Sequence, residues 1–269
     1  MNLAEAVHVE GSNGRYRAEL SKNWEVWGPN GGYLAAVALQ AVGKQAEIRR
    51  PSSLYCHFLT SPKFAAVDLE VEVLKRGRRS ESFSVRMLQD GRPMLQALIR
   101  TAAEAPGFEH QQVTAPNVAE PEALKSWDQL FPNYEGPHYS FWENLDSRPI
   151  DQRVGADRKS EQAVRQEWTR FIPQATFADP FVDASRALIL LDTYGYPAAF
   201  ERYGNEKYIA PNLDTSMWFH QPSRSDWLLI DHACPTAKDG LLFASGNVWD
   251  RSGTLIASGS AHLCCLPMR

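Results

Sequence analysis

Asp192 closes the string Ala187-Leu188-Ile189-Leu190-Leu191-Asp192, a carboxylate at the end of a segment otherwise built for burial. Burying that charge is costly unless it is hydrogen-bonded or at work. Near a helix C-terminus it is also opposed by the helix dipole. A carboxyl so placed suits a general base that takes a proton from water; the structural alternative is an Asp turning into the Thr193-Tyr194-Gly195 loop. Gly31-Gly32-Tyr33 open a second apolar segment. Glycines there let a substrate approach the backbone, and the first-turn amides, Gly32 and Tyr33 foremost, are donors for a developing oxyanion. The same pair would also serve a tight entry into the helix. His57 and His220 hold similar places in the two halves, each flanked by aromatics, a setting that more often makes a histidine structural. No GxSxG elbow or Ser-His-Asp spacing is present.

The elements that must carry these residues are legible from periodicity. Residues 31–45 are apolar almost all round, which predicts a helix buried on most of its surface, with Asn30 as N-cap. Strand-like runs follow at 53–59, 67–75, 82–89 and 94–101, with Asp90-Gly91 as a hairpin turn. Residues 102–162 lose the pattern and read as a connecting segment, too aromatic to be a free linker. The order then recurs: a strand at 163–172, a helix capped by Asp179 with Pro180 in its first turn and running to about Tyr194, then strands at 213–220, 227–233, 241–249 and 255–263. Pro62 and Pro222, and likewise Phe83 and Phe243, stand 160 residues apart, while Gly91 and Gly253 are separated by 162. Landmarks in the same order at a near-constant offset imply an internal duplication.

A duplicated unit of one apolar helix followed by antiparallel strands implies an α+β fold, because only a curved sheet can wrap such a helix. Two units pairing edge to edge would protect each other's open edges. The division expected is 1–103, a connector over 104–162, and 163–269.

Composition excludes several classes. With 269 residues, 43% hydrophobic and 22% charged, a folded core is expected. A net charge of -4 gives no reason to invoke nucleic acid. The basic run Lys75-Arg76-Gly77-Arg78-Arg79 reads as a solvated hairpin turn, with an anionic-ligand contact at Arg76 as the alternative. Cys56, Cys234, Cys264 and Cys265 lack metal-site or disulfide spacing, so free thiols in a reducing compartment, and no metal or cofactor, are expected. With no signal-peptide pattern and no run of the ~18 apolar residues a membrane span needs, cytoplasmic placement and no membrane partner are expected.

WGPNGGYLAAVALQAV, SLYCHFLTSP and VEVLKRGRRSESFSVRMLQDGRPM resemble the N-terminal repeat of TesB-like acyl-CoA thioesterases; LDTSMWFHQP, DWLLIDHACP and VWDRSGTLIASGSAH resemble their C-terminal repeat. The resemblance implies a double hot-dog, hydrolysis of an acyl-CoA thioester by an activated water without a covalent intermediate, and assembly into dimers or larger homo-oligomers. In that family three polar side chains hold the water. They match Asp192, Asn212 (usually threonine) and Ala261 (usually glutamine) in this sequence. Alanine cannot bond a water. A bulge that turned His262 inward would supply a base instead, and Asp214 shares a face with Asn212 if the strand is regular. The substrate-binding set expected is Gly31, His57 and Arg76, with the acyl chain along the apolar helix. A hydratase-like enzyme and a catalytically inactive acyl-CoA-binding protein are the alternatives.

Overall fold

The structure, a computed structural model, describes residues 1–154, 160–204 and 207–268. The chain begins with a capped turn, α1 (Leu3–Ala6), and a short hairpin, β1 (Glu10–Ser12) and β2 (Arg15–Glu19). Then come α2 (Gly31–Gly43) and four strands: β3 (Pro51–Phe58), β4 (Ala66–Arg76), β5 (Ser80–Gln89) and β6 (Arg92–Ala102). After a long connection carrying α3 (Trp127–Leu130), the second half follows. It contains β7 (Leu145–Pro149), β8 (Val164–Phe171), α4 (Pro180–Thr193), α5 (Gly195–Tyr203) and β9 (Tyr208–Ile209), then β10 (Asn212–Phe219), β11 (Leu228–Lys238), β12 (Leu241–Asp250), β13 (Leu255–Cys264) and β14 (Leu266–Pro267).

Twelve strands form one antiparallel sheet in the order β1-β2-β4-β5-β6-β3-β10-β13-β12-β11-β8-β7. Read from its centre, where β3 pairs with β10, the sheet repeats the same strand sequence outward in both directions. β6 corresponds to β13, β5 to β12, β4 to β11, β2 to β8 and β1 to β7. The duplication expected from the offsets is thus present in the topology. β7 belongs to the sheet although it lies inside the stretch read as a connector. α5 was also unexpected, since Thr193-Tyr194-Gly195 read as a loop; Pro197 is accommodated in its first turn, where proline removes an amide that has no helical partner anyway.

The helices cover one face of the sheet, α2 against β3–β6 and α4 against β10–β13, and they also pack on each other. Every residue of α2 except Gly31 is buried, including Tyr33, Leu34, Val37 and Leu39. The pair runs antiparallel: Gly43 at the end of α2 meets Phe181 at the start of α4, and Gly32 at the start of α2 meets Ile189 near the end of α4. Glycine is required at these crossings. A Cβ at position 32 would lie 2.8 Å from the Ile189 Cα, and one at 43 would lie 2.8 Å from the Phe181 ring. The caps match expectation: the Asn30 side chain accepts from the Tyr33 amide, and Asp179 accepts from Phe181 and Val182. Among the described residues no helix is long and apolar enough to cross a membrane.

Because the neighbour of Gly32 is backbone that cannot rotate away, Gly32→Ala should cost about 1–3 kcal/mol. A thermal melt beside Gly107→Ala, where an added Cβ meets nothing, checks this. An unchanged midpoint for Gly32→Ala would refute the close crossing.

Candidate active site

The helix crossing brings Asp192 of α4 against the amino end of α2. Asp192 is only 3% exposed. Its Oδ1 accepts a 2.7 Å bond from Asn212 Nδ2, which also donates to the Asp192 main-chain carbonyl at 2.8 Å. The Thr215 hydroxyl and the Gly32 amide also bond the carboxylate. Asn30 Nδ2 reaches Thr193 Oγ1 at 3.0 Å, tying the start of one helix to the end of the other. Gly31 leaves the approach to the carboxylate open, since a Cβ there would fall 2.9 Å from Asp192 Oδ2 and 3.0 Å from the Phe58 ring.

Two opposed effects set the charge of Asp192. Burial pushes its carboxyl up to about 7, while the bonds from Asn212, Gly32 and Thr215 pull it down. The carboxylate is held where it can gain or lose a proton near neutrality, the condition for a general base.

A shift in register built this group. The pairing of β10 slips between Asn212 and Asp214, so that Asn212 and Thr215, three positions apart, both face the helices. Strict alternation would have put them on opposite faces. Thr215 is 1% exposed and pairs directly with Ala261 of β13 on one side and Cys56 of β3 on the other. A hydroxyl thus stands beside the position where the family pattern calls for glutamine. Sequence reasoning missed Thr215, because its only signal would have been the bulge. Burial, with the negative charges of Asp192 and Asp214, pushes the Cys56 thiol well up, so it stays protonated.

Other expected residues fall elsewhere. Asp214 does not share a face with Asn212; beyond the slip it points outward and bonds His262, Nδ1 to Oδ2 at 3.2 Å. His262 therefore does not turn inward, as β13 is regular at Ala261 and His262. His57 is exposed on the outer face beside Asp214. His220 bonds Ser258 Oγ at 3.0 Å. The Tyr33 amide is taken by Asn30 Oδ1 at 2.9 Å and is not free for an oxyanion. The Tyr33 hydroxyl instead joins the Ala6 carbonyl and the Ser21 amide. Arg76 is ion-paired with Glu47 and Glu81 and donates to the Gln45 carbonyl beyond the C-terminus of α2, the end opposite Gly31. No group of three or more His, Cys, Asp or Glu suited to a metal occurs among the described residues. All four cysteines are free thiols.

A buried carboxyl poised near neutrality, bonded by an amide and a hydroxyl and facing a helix amino terminus, is chemically able to take a proton from water. Two family models match the chain: the acyl-CoA thioesterase N-terminal domain over residues 20–102 and the acyl-CoA thioesterase C-terminal domain over 111–265. The chain belongs to the acyl-CoA thioesterase family. It is similar to human acyl-coenzyme A thioesterase 8, 25% identical over 246 residues, covering 84% of this chain and 76% of the relative. The mouse protein of the same name is 28% identical over 258 residues with the same coverage. The acyl-CoA thioesterase II TesB2 of Mycobacterium marinum superimposes with a TM-score of 0.81 at 21% identity, over 99% of this chain and 98% of that one. A hot-dog-fold protein of Alicyclobacillus acidocaldarius gives 0.81 at 17% identity over the same shares. The fold is that of the hot-dog thioesterases.

The Thr215 hydroxyl favours the ionised form of Asp192, so Thr215→Val should move the acid limb of activity to higher pH and lower the plateau about tenfold, in keeping with a lost hydrogen bond to a charged group. A pH profile of kcat/KM for Thr215→Val and Thr215→Ser checks this, with serine restoring the limb; an unmoved limb in the valine variant would remove Thr215 from the site.

Proposed function

We propose that this chain hydrolyses acyl-CoA thioesters to a free acid and CoA, with Asp192 as the base that takes a proton from the attacking water. The observation that carries the reading is the buried Asp192 carboxyl, raised to about 7 and bonded to Asn212 at the amino end of α2. Water attacks the thioester carbonyl as its proton passes to Asp192, and the C–S bond then breaks as Asp192 returns that proton to the leaving CoA sulfur, which restores the carboxylate. Asn212 and Thr215 orient the carboxylate and the water. The positive end of the α2 dipole offsets negative charge as it passes from Asp192 to the carbonyl oxygen, while the Gly32 amide, bonded to the Asp192 carboxylate, holds the base and is not the free oxyanion donor the sequence suggested. Asn212 takes the place of the family's usual threonine, and Thr215 adds a hydroxyl beside Ala261. A hydratase would need histidine and carboxylate side by side, and the residues bonded to Asp192 include no histidine. An inactive binding protein would have no use for a carboxylate held at this cost.

The wider reading follows. The two halves form a double hot-dog of 1–103 and 163–269 joined by a connector, a reading supported by the repeated strand order and by the pairing of β7 from the connector with β8. The chain acts in the cytoplasm on acyl-CoA without a cofactor, and it assembles as a homo-oligomer through the outer sheet face, where Tyr55 and Trp218 pack edge to face and remain exposed.

Release of free thiol from acyl-CoAs of increasing length tests this. Asp192→Asn should lower turnover by about 10²–10⁴-fold while acyl-CoA still binds. Undiminished turnover would exclude Asp192. Because the base works unprotonated, wild-type kcat/KM should rise with pH up to about 7 and level off above it. Stability should run the other way. The folded carboxyl holds its proton up to about 7 and the unfolded one only to 3.8, so this group makes stability fall as pH rises across that window. Asp192→Asn should abolish that component in melts between those pH values.

A further inference from the structure

We propose that the apolar tail of the thioester lies in the pocket between α5 and the β11–β12 hairpin, and not along α2. This assignment rests on the hydrolase reading above and names where its substrate is held. The route along α2 is closed: twelve of its thirteen residues are buried and its amino end meets α4 backbone at the Gly32 crossing. The pocket encloses about 260 Å³ and is lined by Tyr196, Phe200 and Tyr203 of α5, with Tyr208, Ala210 and Leu241 opposite.

Three observations join it to Asp192. Tyr196 follows Asp192 by four residues, and its ring meets Trp27 edge to face at 4.9 Å; Trp27 sits in the loop leading to Asn30 and Gly31. Ala210 precedes Asn212 by two residues. The buried apolar cluster beneath the pocket, which includes Ala199, Ala210 and Leu242, also contains Ala261, the partner of Thr215. Glutamine at 261 would put a polar amide in that cluster; alanine keeps the wall between base and pocket apolar.

The pocket's apolar side chains wait for a partner. Phe200 is 44% exposed, Tyr203 53% and Leu241 47%, and covering them with an alkyl chain removes apolar surface from water on both sides. Among the described lining residues, charge comes from Lys238 and Asp239 at the hairpin tip. The volume lies below the ~300–1,000 Å³ of ordinary small-molecule pockets, which fits the distal part of one unbranched chain.

Phe200→Asp and Leu241→Asp test the assignment, since both side chains are exposed enough for the fold to tolerate the change; Val113→Asp in the connecting segment, 51% exposed and outside the pocket, is the remote control. Thiol release is measured on butyryl-, octanoyl- and dodecanoyl-CoA. The pocket variants should lower the dodecanoyl-to-butyryl ratio of kcat/KM at least about tenfold, as expected when an apolar subsite is spoiled, while Phe200→Leu and Val113→Asp keep the wild-type ratio. A uniform loss at all three lengths would mean that the pocket holds the pantetheine arm and would overturn the assignment. An unaltered ratio in both pocket variants, with active wild type, would overturn it too. Wild type that releases thiol from none of the three would instead overturn the hydrolase reading, and this assignment with it.

Discussion

The antiparallel crossing of α2 and α4 is the constraint on which the rest of the molecule depends. Two helices can approach closely only where side chains vanish, and Gly32 and Gly43 supply that at the two ends of the seam, each with a neighbour 2.8 Å from where a Cβ would sit. Moving either helix outward would also move Asp192 off the amino end of α2. The crossing is the core of the fold and the frame of the site at once.

The site's electrostatics follow from that frame. Asp192 sits at the negative end of its own helix, in a setting with almost no water, and both effects favour its protonated form. The amino end of α2 and the bonds from Asn212, Gly32 and Thr215 push back. A carboxyl drawn both ways titrates near neutral pH, whereas the same residue on the surface would stay ionised and be a weaker base. The bonds that position Asp192 are those that set its basicity, so geometry and charge cannot be tuned apart.

Much of this was legible in the sequence for physical reasons. The buried helices announced themselves by unbroken apolar stretches, the caps by Asn30 and Asp179, and the hairpin by Asp90-Gly91, whose φ values of 51° and 74° are those such a turn demands. Asp192 stood out as a charge where none should be cheap. What the sequence hid was the register slip in β10. It turns Thr215 inward and Asp214 outward, reversing what alternation predicts, because a bulge leaves no mark on composition. α5 was concealed by residues that usually break helices, and Arg76 looked available because only the folded turn and the end of α2 bring Glu81 and Glu47 onto it. The short edge strands β1 and β7 are too brief and too charged for a periodicity to show.

The account stands on Asp192 titrating near neutrality inside the folded protein, and the direct measurement is a ¹³C NMR titration of its side-chain carboxyl, assigned by comparison with Asp192→Asn. The account predicts a midpoint near 7. A midpoint at or below the ordinary aspartate value of 3.8 would contradict it, leaving a permanently ionised carboxylate too weak a base to activate water.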